Sequence, residues 1–345
     1  MESQQELFMQ RALELAARGT GRVAPNPLVG CVIVKNDKII AEGWHQYHGG
    51  MHAEIMALSK IKNQKDLQDA DIYVSLEPCS HQGLTPPCAP RLASLPINTV
   101  YISSVDPNPK VQGKGIEILQ NAGKTVVVGI LEAESRKLNH KFFTFHEKKR
   151  PYILLKWAQT ADKYIAKANN DSKWISNKLS RKIVHKWRGE CAGILVGTTT
   201  AEKDDPKLNT REWAGKDPVR IIIDRKLSLS PDLTIYKDEG RTLTYNLKEN
   251  RIEGNKEFIM VQQFQFISEI MKDLYEKGVQ SVLVEGGATI HRAFIEEGIW
   301  DECRIFQSTN LFGEGISAPE IPGVISYSEK IMNNTLFIIE NNNNG

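Results

Sequence analysis

Four residues of this chain have the types and spacing of a reactive metal centre. They are His52 and Glu54 in the tripeptide HAE, and Cys79 and Cys88 at the two ends of CSHQGLTPPC. One imidazole and two thiolates make three ligands. A catalytic zinc takes three protein ligands and keeps the fourth position for water, whereas a structural zinc closes all four. Such a metal lowers the pKa of its water toward neutrality, and a carboxylate nearby then moves the proton. Two steps along a regular helix turn a side chain by about 200°, so Glu54 is a poor second ligand beside His52 but is free to reach the water. Cys88 follows Pro86 and Pro87 at an expected helix start, where the helix dipole favours a thiolate. His81, between the cysteines, leaves a second possibility open: a closed, structural Cys/His site.

The elements that must position these residues alternate between strand and helix. Residues 5–18 have apolar residues at helical spacing, with Gly19 as a stop. CVIVKNDKIIAEG reads as two strands joined at Asn36 and Asp37, HAEIMALSKI as a helix, DIYVSLEP as a strand and PPCAPRLASL as a short helix. TVYISSV, GIEILQNAG and TVVVGI continue the rhythm, which predicts a mixed sheet with helices on both faces. The charged stretch FHEKKRP, residues 145–151, reads as a linker. Beyond it the pattern restarts with YILLKWA, SRKIVHKWRG, AGILVG and VRIIID, and later FISEIMKDLYEKG, VQSVLVEGG and TIHRAFIEEG. The expected division is therefore residues 1–146 and 150–339, followed by a disordered tail, 340–345, ending in NNNNG. No internal repeat relates the halves.

Bulk properties agree with this division. At 345 residues the chain exceeds one ordinary core and suits two domains. A net charge of +2 gives no broad electrostatic footprint for nucleic acid. The start of the sequence has no long apolar run, so neither a signal peptide nor a membrane span is expected, and a cytoplasmic protein is. Five cysteines do not read as a disulfide framework. Cys31, Cys191 and Cys303 lie in apolar runs and read as small core residues.

H-x-E followed by P-C and a later cysteine is the pattern of zinc deaminases, although the second cysteine stands far beyond the usual C-x-x-C. The insertion narrows the resemblance. APNPLVGCVIV, GWHQYHGGMHAE, EPCSHQGLTPPC and DPNPKVQGKGIEIL resemble the deaminase half of the bifunctional deaminase/reductase family of riboflavin biosynthesis. KWAQTADKYIA, DSKWIS, VHKWRG, VGTTTAEKDDPKLNTR and VLVEGGATI resemble its reductase half, in the same order. The resemblance implies an α/β protein whose first half is a cytidine-deaminase-like three-layer domain and whose second is folded like dihydrofolate reductase. It implies hydrolytic deamination of 2,5-diamino-6-ribosylamino-4(3H)-pyrimidinone 5′-phosphate, then reduction of the ribosyl group with NADPH to give 5-amino-6-ribitylamino-uracil 5′-phosphate. It carries zinc onto His52, Cys79 and Cys88, the proton shuttle onto Glu54, and homo-oligomerisation onto the second half.

Asn26, in PNP, is a candidate for the pyrimidine edge, since an amide both donates and accepts there; taken alone it is equally a turn residue. His45, His48 and His81 are candidates for the same pocket or the substrate phosphate. In the second half, VLVEGGATI is a strand, a glycine pair and a helix start, which lets backbone N–H groups approach a phosphate. It is not the G-x-G-x-x-G fingerprint. By resemblance Gly286, Gly287, Ala288 and Thr289 contact NADP with Thr160, Trp174, Thr200 and Asp204, while Ser172, Arg188, Leu208, Arg211 and Glu285 contact the substrate. Lys156 interrupts an apolar run, where an unpaired charge is costly; we read it as facing the substrate and polarising the sugar carbon that accepts hydride. Two positions depart from the family, which has glycine in place of Lys163 and Asn170, so the loop after Thr160 is expected to differ in shape. Two other readings stay open: a deaminase acting on a nucleic-acid base with a binding module behind it, and an inert scaffold with a structural zinc.

Overall fold

The computed structural model describes residues 3–169, 175–264 and 266–341. The chain separates into two compact units, Met1–Lys148 and Lys149–Gly345.

The first unit contains strands β1 (Gly30–Lys35), β2 (Lys38–Trp44), β3 (Asp71–Leu76), β4 (Thr99–Ser104) and β5 (Thr125–Val128). Its helices are α1 (Gln4–Ala17), α2 (Ala53–Leu58), α3 (Cys88–Ala93), α4 (Lys114–Asn121), α5 (Glu132–Leu138) and α6 (His140–Lys148). The strand order is β2-β1-β3-β4-β5, with β1 antiparallel to both neighbours and β3, β4 and β5 parallel. Alternation along β1 sorts the layers. Cys31 and Ile33 pack with Ala53, Ala57, Leu92 and Leu119 of α2, α3 and α4, while Val32 and Val34 pack with Met9, Ala12 and Leu15 of α1. Helix α1 starts at a capping box: Ser3 Oγ accepts from the Glu6 N–H, and the Glu6 carboxylate accepts from the Ser3 N–H. Helix α2 lies unusually close to the sheet. A Cβ at Gly43 of β2 would sit 2.3 Å from the Ala53 carbonyl oxygen and 2.4 Å from the Ala57 nitrogen.

The second unit has strands β6 (Tyr152–Gln159), β7 (Tyr164–Ala166), β8 (Gly193–Gly197), β9 (Val219–Ile223), β10 (Thr242–Asn246), β11 (Arg251–Glu253), β12 (Lys256–Met260), β13 (Ser281–Val284), β14 (Glu302–Ser308), β15 (Ile316–Ser317), β16 (Val324–Ile331) and β17 (Asn334–Glu340). Its helices are α7 (Lys178–Glu190), α8 (Thr198–Asp204), α9 (Thr234–Lys237), α10 (Phe266–Glu276) and α11 (Ala288–Glu296). The main sheet runs β11-β12-β10-β9-β8-β13-β6-β14-β17-β16, parallel from β12 to β14 and antiparallel at both edges. A strand covered on both faces reads as a continuous apolar run, and β8, GILVG, is buried throughout. One face packs on α10 and α11 through Leu195, Ile270, Leu274, Val284 and Phe294; the other packs on α7, α8 and α9.

Two expectations need correction, and one pair of strands is new. The charged run 145–148 is the last turn of α6, where Phe142, Phe143 and Phe145 are buried; the aromatic stripe holds the helix in place while the charges face solvent. The disordered tail cannot begin at 340. Glu340 is in β17, and the buried Asn341 side chain donates to the Trp300 carbonyl at 2.8 Å; residues 342–345 lie outside the described residues. The pair β16/β17 is absent from the sequence reading because β16 is exposed along nearly its whole length and has no alternation to detect.

Candidate active sites

His52 is the N-cap of α2, in extended conformation (φ −68°, ψ 158°), not a residue within it as the helical reading assumed. The conclusion survives on different grounds. The extended N-cap sends His52 out of the helix, while Glu54 sits in the first turn. Cys79 follows β3, and Cys88 is the first residue of α3. The two sulfurs converge on one nitrogen: Cys79 Sγ and Cys88 Sγ each lie 3.4 Å from His52 Nδ1. Zinc–sulfur and zinc–nitrogen bonds of about 2.3 and 2.0 Å at a tetrahedral angle leave about 3.5 Å between ligand atoms. The donor set therefore fits zinc, with Nδ1 as the imidazole ligand atom. Among the described residues these three alone form a metal-holding cluster of His, Cys, Asp or Glu. His81, the rival fourth ligand, is exposed and outside it.

Electrostatics sharpen the picture. Glu54 is 3% exposed. Burial, reinforced by the Cys79 sulfur, pushes its carboxyl up to about 7. The hydrogen bond from the Cys88 thiol holds Cys79 well below the ordinary thiol range, and contact with Cys79 raises His52. Asn26 and His45 lie beside these groups. The Asn26 amide meets His45 Nε2 at 3.0 Å, His45 Nδ1 meets the Met51 carbonyl at 3.0 Å, and the His45 ring stands edge-on to His52 with centroids 5.5 Å apart. His45 is buried, whereas His48 and His81 are exposed.

Two residues had no role in the sequence reading. Thr85 Oγ1 lies 3.1 Å from His52 Nε2. Accepting the Nε2 proton leaves Nδ1 unprotonated toward the sulfurs, the usual device by which an outer partner fixes a ligand histidine. Glu77, in EPC, is buried and gathers a distant loop. Its carboxylate accepts backbone N–H groups from Asp106 at 3.2 Å, Gly113 at 3.0 Å and Gly115 at 2.9 Å. A hydroxyl residue directly before a proline pair carries no signature of its own, and Glu77 is indistinguishable in sequence from a surface acid.

In the second unit a cavity of about 770 Å³ opens at the carboxyl ends of β6, β8, β9 and β13. Its lining includes Lys156, Arg188, Leu208, Glu285, Thr200 and Asp204, together with the turn Gly286–Thr289. The charges form one group. Arg188 donates from Nε to Glu285 Oε1 at 2.7 Å and from Nη2 to Oε2 at 2.9 Å, and Nη1 donates to the Asn209 carbonyl at 3.2 Å. Lys156 Nζ lies 3.9 Å from Glu285. Burial alone would raise Glu285, but Arg188 and Lys156 hold it down to about 2. Burial also lowers Lys156, against the pull of Glu285. Gly287 caps α11 in extended conformation, and a Cβ there would meet nothing nearer than Thr200 Oγ1 at 3.9 Å. Its glycine is thus not required by the backbone; it leaves the helix N-terminus open toward the cavity, as an anion cradle does.

Not every sequence candidate reaches this cavity. Thr160 and Arg211 are absent from its lining. The Thr160 hydroxyl is occupied within its own turn, donating to Asp162 and accepting from the Tyr164 N–H at 2.9 Å, while Arg211 is exposed and meets Asn209 Oδ1 at 3.3 Å. Ser172 and Trp174, like Asn170, lie outside the described residues. Lys163 takes the glycine-like conformation, φ 64°.

The two units define a zinc-type deaminase joined to a nucleotide-dependent reductase. Residues 2–104 match the family model of the cytidine and deoxycytidylate deaminase zinc-binding region, and residues 151–334 match that of the RibD C-terminal domain. The riboflavin biosynthesis protein RibD of Aquifex aeolicus is 40% identical over 331 residues, spanning 94% of this chain and 92% of the relative. RibD of Bacillus amyloliquefaciens is 38% identical, over 92% and 87%. The crystal structure of a diaminohydroxyphosphoribosylaminopyrimidine deaminase/5-amino-6-(5-phosphoribosylamino)uracil reductase from Thermotoga maritima superposes with a TM-score of 0.87 at 38% identity, over 98% of each chain. This chain belongs to the RibD family of riboflavin biosynthesis proteins.

Proposed function

We propose that the chain catalyses two consecutive steps of riboflavin biosynthesis. The first is hydrolytic deamination of 2,5-diamino-6-ribosylamino-4(3H)-pyrimidinone 5′-phosphate. The second is NADPH-dependent reduction of the ribosyl side chain, giving 5-amino-6-ribitylamino-uracil 5′-phosphate. It is a bifunctional enzyme, hydrolase in one half and oxidoreductase in the other. We assign the first unit, Met1–Lys148, to the deaminase and the second, from Lys149 through at least Asn341, to the reductase. The reading is carried by the convergence of two sulfurs on His52 Nδ1 beside a buried carboxylate.

Zinc held by His52, Cys79 and Cys88 supplies a Lewis-acidic centre that brings the pKa of a water toward neutrality. Glu54 accepts a proton on its carboxylate and delivers it to the departing amine. Its burial in the first turn of α2, beside the three ligand residues, places the carboxylate to take and return that proton. Asn26, braced by His45, meets the pyrimidine edge. In the reductase NADPH supplies the hydride. The backbone N–H groups at the start of α11 would receive its phosphates, and Thr200 and Asp204 of α8 line the same cavity. Lys156 and Glu285 face the sugar. Arg188, committed to Glu285 and Asn209, holds that carboxylate and the Leu208 segment in place. The nucleic-acid alternative loses its support, because the second half is a reductase-family domain, not a binding module.

Glu54→Gln tests the deaminase assignment. Ammonia release should collapse while zinc content and NADPH consumption on the deaminated substrate persist; undiminished ammonia release would remove Glu54 from the chemistry. We also propose a homo-oligomer formed through the reductase half. The edge strand β16 supports it, exposing Val324, Ile325 and Tyr327 at 57%, 57% and 48%; light scattering that returns only monomer would oppose it. Residence in the cytoplasm is proposed too. None of the five cysteines is in a disulfide, and among the described residues no helix is long and apolar enough to cross a membrane.

A further inference from the structure

The geometry points to His291 as the positioning residue that fixes the Glu285–Gly286–Gly287 turn against which the dinucleotide is held. The inference rests on the cofactor reading above. His291 lies on α11 and is fully buried. Its Nδ1 is 3.1 Å from the Gly287 carbonyl and its Nε2 is 3.2 Å from the Val284 carbonyl. Those two carbonyls bracket the turn: one ends β13, the other opens α11. The ring also stands edge-on to Trp157 of β6, with centroids 5.0 Å apart. A single side chain thus touches β6, β13 and α11 beneath the turn, next to Lys156.

The turn is held from one side and open on the other. Ile290, beside His291, packs so closely that a Cβ at Gly286 would lie 2.9 Å from its Cβ. On the cavity side the nearest atom to a Cβ at Gly287 is 3.9 Å away. The backbone N–H groups that receive a phosphate are therefore set by what lies beneath them. Burial lowers His291 to about 4, so the ring is neutral near pH 7 and carries one N–H. That proton sits on one nitrogen, and the identity of the nitrogen decides which carbonyl is held. Asparagine places an amide donor where Nδ1 stands, and glutamine places one where Nε2 stands. Phenylalanine fills the ring volume with no donor.

The experiment compares full-length wild type with His291→Ala, His291→Phe, His291→Asn and His291→Gln. NADPH binding is followed by fluorescence titration, and KM and kcat are measured on the deaminated sugar phosphate. Alanine and phenylalanine should each raise the Kd and KM for NADPH about tenfold while kcat at saturating NADPH stays within about twofold. Either asparagine or glutamine should bring the KM back to within about threefold of wild type. Ammonia release, which belongs to the other half, should not change. A phenylalanine variant with wild-type KM would overturn the inference, because the ring would then only fill space. So would an alanine loss that neither amide restores. A wild type that binds no NADPH would overturn the cofactor reading itself, whereas wild-type binding with unchanged variants would remove only His291.

Discussion

Replacing Thr85 by valine removes the 3.1 Å hydrogen bond to His52 Nε2 and keeps the side-chain volume nearly constant. Both sulfurs lie 3.4 Å from Nδ1, so the metal needs that nitrogen unprotonated and the ring proton on Nε2. Thr85 is the group that receives it. A neutral, part-buried hydrogen bond contributes about 1 kcal/mol, and loss of an outer partner of a ligand histidine weakens metal binding by about 10–100-fold. The metal-bound state holds the ring in place through the sulfurs as well, so the lower end applies, about tenfold. Competition against a chromophoric zinc chelator measures the affinity directly. Excess zinc should restore ammonia release in Thr85→Val, because every ligand and Glu54 remain. Thr85→Ser keeps an acceptor and should bind zinc nearly as tightly as wild type. The reasoning fails if the valine variant holds zinc as tightly as wild type, or if serine is as weak as valine.

Three further outcomes follow from the packing. Gly43→Ala places a Cβ 2.3 Å from the Ala53 carbonyl, so α2 must shift; a loss of at least about 2 kcal/mol in chemical unfolding is expected, with weakened zinc binding, because His52 caps that helix. Lys163→Gly relieves a left-handed lysine at φ 64° and should raise the stability of the second unit by about 0.5 kcal/mol after the entropy of glycine is deducted; a lower urea midpoint would contradict it. Glu285 is held at about 2, against an ordinary 4.5. Its depressed pKa contributes stability, on the order of 3 kcal/mol, that is complete above the unfolded pKa and disappears as pH falls toward 2. Glu285→Gln should lower stability at pH 7 and flatten the pH dependence between about 5 and 2; an unchanged slope in urea titrations at several pH values would refute the pairing with Arg188.

Residue chemistry and local order were readable without coordinates. A histidine, two cysteines and a spare glutamate mean metal and proton transfer wherever they meet, since ligand preference belongs to the atoms and not to the fold. The β/α rhythm was readable for a similar reason: β8 and β13 are covered on both faces, so their apolar runs are unbroken. Elements without such a signal were missed. Strand β16 is exposed, and the charged last turn of α6 hides the fact that the helix is anchored by three buried phenylalanines, Phe142, Phe143 and Phe145.

What the sequence alone determined, then, is which atoms are available and roughly which segments are strands and helices. Tertiary structure decided which side chains meet. It put Thr85 on the far nitrogen of His52, turned Glu77 into an anchor for the loop through Gly115, and brought Arg188 onto Glu285, 97 positions away. It also kept Thr160 and Arg211 out of the cavity that their neighbours line. Helix and strand preferences act over a few residues, whereas a polar side chain's partner is settled by the packing of whole layers, and no local pattern records that choice.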